Sequence, residues 1–134
     1  MNDPFLHKKF IFNEKIDREY LFSLYEDDLG YIEEIFKTTL DQLNTVFSEL
    51  PVTVTAGDKE SVRRIIHKIK PAFGFTGFLG TEKACKDFED ACLDQASSDG
   101  LAAEYHTLCT ILKESMERMQ KQFDHLKEFN SHGT

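Results

Sequence analysis

Apolar residues recur at three- and four-residue steps along most of the chain, and no run alternates with period two for long enough to make a strand. The clearest stripe is Leu29, Ile32, Phe36, Leu40, Leu43, Phe47 and Leu50, which predicts a core helix that Pro51 terminates. Ahead of it, Asp17 is placed to cap a short helix carrying Tyr20, Leu21, Leu24 and Tyr25, with Asp27 and Asp28 offering the next cap. The segment PVTVTAG, residues 51–57, reads as a loop, and Asp58 opens a third helix with Glu60 in its first turn. Val62, Ile66, Ile69, Phe73 and Thr76 then fall within about 80° of arc at 100° per residue and should face the core. Gly77 and Gly80 end that run, and Thr81 is the expected cap of a fourth helix. Its inward residues are Ala84, Cys85, Phe88, Cys92 and Ala96, and SSDG at 97–100 closes it. The last helix is long, with Tyr105, Leu108, Leu112, Ser115, Met119, Phe123 and Leu126 inward, and is expected to fray after Phe129 into NSHGT. The pattern predicts an all-α fold: an antiparallel four-helix bundle with an additional short N-terminal helix closing one end.

Composition narrows the picture. With 134 residues the chain suits one domain spanning 1–134, its ordered bundle expected at about 17–129. A hydrophobic share of 40% and a charged share of 30% are those of a folding, water-exposed domain. The formal charge of −8 disfavours nucleic acid as a partner. No stretch approaches the roughly 20 apolar residues of a membrane helix, and the first twelve residues hold no secretory core. Three cysteines without a CxxC pair read as reduced, buried thiols, so the expected setting is the cytoplasm, and the expected state a monomer.

Charge is unevenly spread. From Ser61 to Thr81 there is no acidic residue, while Arg63, Arg64, Lys68 and Lys70 fall inside that window. On the third helix Arg63, His67, Lys70 and Gly74 follow i, i+4, i+7 and i+11, which we read as an arc roughly opposite the core stripe. A histidine so placed sits exposed among cations with no carboxylate beside it, neutral and nucleophilic. Such an imidazole can accept a phosphoryl group, Lys70 can stabilise the added charge, and Gly74 leaves room for an approaching partner. The same cations also fit a plainly solvated helix face.

The segment HKIKPAFGFTG, His67 to Gly77, resembles the signature of histidine-containing phosphotransfer (HPt) domains, approximately H-x-L-K-G-x-x-x-x-x-G. His67 falls on the phosphoacceptor, Ile69 on the apolar position, Lys70 on the lysine and Gly77 on the closing glycine. Cys85, Phe88 and Glu89 are similar to a C-x-x-L-E register downstream. The resemblance implies a four-helix bundle with one accessory helix. It also implies a phosphorelay intermediate of two-component signalling, which accepts a phosphoryl group from a receiver-domain aspartate and passes it to another. Receiver domains of response regulators and hybrid histidine kinases are the implied partners. They bring the Mg2+, so this chain is expected to need no cofactor or metal of its own. One departure is Pro71, where the pattern has glycine; it removes the helical donor to the carbonyl of residue 67 and is expected to kink the helix or open the turn.

Arg63, Arg64, Lys68, Gly74, Phe75 and Gly77 are the residues expected to meet the partner. Phe75 lies about 80° from His67 on the helical wheel, as part of an apolar rim or packed on a neighbouring helix. Cys85 and Cys92 share an apolar face and read as buried. No Glu-x-x-His pair supports a bundle metal centre, and GxxxxGK[ST], HExxH and GxSxG are all missing from the sequence. The expected activity is therefore phosphocarriage without autonomous kinase activity. The alternative is a helical module that grips and sequesters a receiver without being phosphorylated, and an adaptor binding an anionic partner through the basic patch is a further one.

Overall fold

The structure is a computed structural model that describes residues 10–50, 59–94 and 98–132. Five helices account for the regular structure of those residues: α1 (Arg18–Tyr25), α2 (Leu29–Phe47), α3 (Lys59–Phe75), α4 (Leu79–Asp94) and α5 (Ser98–His132). Helices α2 to α5 form the bundle, with α3 on α4, α4 on α5, and α5 closing back on α2. The expected loop at 51–57, Asp58 and Ala96 lie outside the described residues.

Helix starts follow side-chain chemistry. Asp17 Oδ1 accepts from the Tyr20 amide at 2.9 Å, and Asp28 Oδ1 from the Tyr31 amide at 3.0 Å, so both expected caps are in place. The predicted stripes are the core: Ile32, Phe36, Leu40 and Leu43 of α2, Val62, Ile66, Ile69 and Phe73 of α3, Cys85, Phe88 and Cys92 of α4, and Leu108, Leu112, Met119 and Leu126 of α5 are all buried.

Four boundaries differ from expectation. Thr81 is not a cap, because α4 begins two residues earlier, at Leu79. The Thr81 hydroxyl instead lies buried, 2.6 Å from that of Ser115 on α5. What stops α3 is Gly77 alone, at φ +82°. Its amide donates to the Gly74 carbonyl and the Phe78 amide to the Phe73 carbonyl, the paired bonds of a left-handed C-terminal cap. A side chain there would also strike Ile16 and Leu21. Residues 98–100, expected to close α4, belong to α5. Nor does α5 fray after Phe129: Asn130 Nδ2 donates to the Leu29 carbonyl at 3.0 Å and to Glu33 Oε1 at 2.8 Å, which fastens the end of α5 to the start of α2.

Helix α1 and the strand-like approach to it plug the end of the bundle where α3 turns into α4. Leu21 is fully buried, the Asp17 amide donates to the Gly77 carbonyl at 2.8 Å, and the Tyr25 hydroxyl donates to the Phe75 carbonyl at 2.9 Å. Asn13 donates its amide to Gln122 on α5, and Phe10 meets Phe129 edge to face. No described helix is long and apolar enough to cross a membrane.

Candidate functional site

The centre of α3 holds the row singled out by sequence, but on its flank. Each member follows a core residue by one position, Arg63 after Val62, His67 after Ile66, Lys70 after Ile69 and Gly74 after Phe73. It is therefore turned about 100° from the core stripe and faces the seam with α4, not the opposite side. Lys70 is only 23% exposed and Gly74 is buried, whereas the His67 side chain is 67% exposed.

His67 is not without a carboxylate, contrary to the expectation from α3 alone. Glu89, from the middle of α4 and 8% exposed, places Oε1 2.5 Å from His67 Nδ1 and Oε2 2.7 Å from Lys70 Nζ. A carboxylate only accepts, so the proton of a neutral imidazole sits on Nδ1 and the lone pair on Nε2. Nε2 meets no partner among the described residues, on a side chain that is 67% exposed. The buried charge of Glu89 is tolerated because each oxygen has a donor and Lys70 balances it. One turn back on α4, burial and then the charge of Glu89 push the Cys85 thiol up to about 12, which leaves it inert beneath the site.

The surrounding residues fall into two groups. Arg63 binds Glu60 through Nε at 3.0 Å and through a terminal nitrogen, holding the Glu60 carboxyl below its usual range, and Arg64 shares the same carboxylate at 3.6 Å. Lys68 is exposed with no acidic partner among the described residues. Phe75, 54% exposed, stands free at the edge of the plugged end, while Phe78 is buried. Gly74 and Gly77 have no open surface. Gly74 lies under the Glu82 carboxylate, so the space expected beside the histidine is already filled, and Gly77 is the cap of α3. Helix α3 continues unbroken through Pro71, whose ring is exposed. Among the described residues no three His, Cys, Asp or Glu side chains are grouped to hold a metal ion.

Glu89 was within reach of sequence reasoning. It follows Cys85 by four and precedes Cys92 by three, so it is an acid on the apolar face of α4, a position that asks for a buried partner.

Within the helical bundle the exposed imidazole of His67 is held from behind by a buried carboxylate and a lysine. The chain belongs to the Hpt domain family, whose profile matches residues 30–127. Searches of curated proteins and of solved structures gave no match. Hpt domains carry out phosphotransfer in two-component signalling, as phosphocarriers rather than enzymes, and interact with receiver domains.

Proposed function

We propose that this chain is a phosphorelay intermediate whose phosphoacceptor is Nε2 of His67. The supporting observation is the bond between Nδ1 and Glu89 on an otherwise exposed ring. It fixes the tautomer and the ring orientation that an attack through Nε2 requires.

In the forward step the Nε2 lone pair attacks the phosphorus of a receiver's aspartyl phosphate. The N–P bond forms as the P–O bond breaks, and the electron pair leaves with the aspartate carboxylate. The ring then carries positive charge, which the Nδ1–H bond to Glu89 offsets. The reverse step delivers the group to a second receiver. Lys70 holds Glu89 in the resting protein and lies one turn from the ring, so its ammonium also serves the phosphoryl oxygens. Mg2+ is supplied by the receiver, and the chain contributes no cofactor. Arg63, Arg64, Lys68 and Phe75 frame the approach of the partner, whereas Gly74 and Gly77 act through the packing beneath it. The setting is the cytoplasm, and a monomer suffices because one chain holds the whole site.

The test mixes the protein with a phosphorylated receiver domain and follows label that is acid-labile and alkali-stable. Wild type should carry it and His67→Gln should not. Folded wild type that takes no label from several receivers would favour the sequestering module.

A further inference from the structure

Pro71 is the residue at which this chain leaves the family's pattern, and its placement in α3 is specific. It stands four residues after His67 and four before Phe75, so the three side chains form an exposed row, about 6 Å apart along the axis. Proline has no N–H, so the carbonyl of His67 lacks the donor that every interior helical carbonyl otherwise receives from the residue four ahead. No side chain among the described residues replaces that donor. Elsewhere on α3 a carbonyl without a helical donor is satisfied: that of Phe75, at the end of the helix, accepts from the Tyr25 hydroxyl. The helical donor missing from the interior of α3 is therefore the one to the carbonyl of His67 itself. From Pro71 to Thr81 there is no charged side chain, whereas Arg64 lies one turn before the histidine and Lys68 stands beside the row, three residues before Pro71. A partner covering His67 meets Arg64 toward the start of α3, Lys68 at the side, and the flat apolar ring of Pro71 toward its end.

We infer that Pro71 is a specificity-determining residue: it frees the His67 carbonyl to accept a hydrogen bond from a donor side chain of the receiver, and lays an apolar contact beside the imidazole. The inference rests on the phosphorelay reading. It selects receivers that carry an N–H or O–H group one helical turn from the phosphorylated aspartate's approach, and disfavours those with a carboxylate there, which would face the carbonyl oxygen.

Pro71→Ala restores the N–H in a residue that suits a helix. The probes are a phosphorylated receiver over a range of concentrations and phosphoramidate, a small donor that makes no contact along the row. In Pro71→Ala the amide of residue 71 should exchange slowly, as it bonds to the His67 carbonyl. The ratio of receiver-driven to phosphoramidate-driven labelling should fall about tenfold, the loss of one good hydrogen bond, and the change should lie in the half-saturating receiver concentration. An unchanged ratio, with the amide protected, overturns the inference and leaves Pro71 merely tolerated. Equal losses with both donors also overturn it, since they would mean that Pro71 only positions the ring. Wild type that is folded but labelled by neither donor removes the phosphorelay reading itself, and this inference with it.

Discussion

The α3–α4 and α4–α5 seams share a helix and both bury polar side chains, but to different ends. Between α3 and α4 the buried group is ionised: Glu89 spans His67 and Lys70 at 2.5 and 2.7 Å, and one of its partners reaches into water. Between α4 and α5 it is a neutral pair, Thr81 with Ser115 at 2.6 Å, closed off from solvent. A hydroxyl pair satisfies itself and fixes little beyond register. A buried carboxylate has to be matched by donors on both oxygens, so it dictates where an imidazole and an ammonium must stand. The first seam orients an imidazole, and the second holds two helices together.

The largest expected effect comes from emptying the first seam. Glu89→Ala should leave the helical spectrum intact while phosphoryl transfer falls on the order of 100-fold, between the loss of a supporting ligand partner and that of a triad carboxylate. Transfer within twofold of wild type would mean that the exposed ring needs no carboxylate. Lys70→Met should follow with a loss of roughly tenfold. Nitrogen NMR of the resting variant should show His67 losing its preference for the proton on Nδ1. A lysine that acts on the phosphoryl group alone would leave that resting spectrum as it was.

The second seam should answer in stability alone. Thr81→Val strands the Ser115 hydroxyl at a cost of about 1–2 kcal/mol, read as a melting point several degrees lower. Adding Ser115→Ala should recover most of it. A Thr81→Val protein that melts like wild type would show that the hydroxyl pair contributes nothing net.

The smallest effect is set by pH. Burial raises Cys85 to about 12 and also raises Cys92 and Tyr105, so in the folded state these groups keep protons that the unfolded chain gives up above about pH 9–10. Stability from them is complete below that range and is lost as pH rises through it. Thermal unfolding between pH 7 and 11 should show the decline, and Cys85→Ala should flatten it. A variant with the same alkaline slope as wild type would clear Cys85 of any part in it.

The helices and their inward faces were legible because burial imposes the 3.6-residue period directly on the residues. Stripes such as Ile32 to Leu43 and Leu108 to Leu126 need no knowledge of neighbours. His67 and Lys70 were legible from charge segregation and from a local motif. That Glu89 pairs with them was not, because it arrives from another helix and 22 positions away. The flank of α3 was mistaken for its back for the same reason. A wheel gives angles within one helix, and only the position of α4 decides which angles are covered. Gly74 was read as open space when Glu82 occupies it, again a fact about the neighbouring helix. The left-handed turn at Gly77 was signalled by the glycine, but placing Thr81 as the next cap overlooked how quickly α4 begins.

The Gly77 turn has a further consequence. Because it joins α3 to α4 directly, His67, Lys70 and Glu89 all belong to one hairpin. On the proposed reading the chemistry is thus encoded in one contiguous stretch of the chain, from His67 to Glu89.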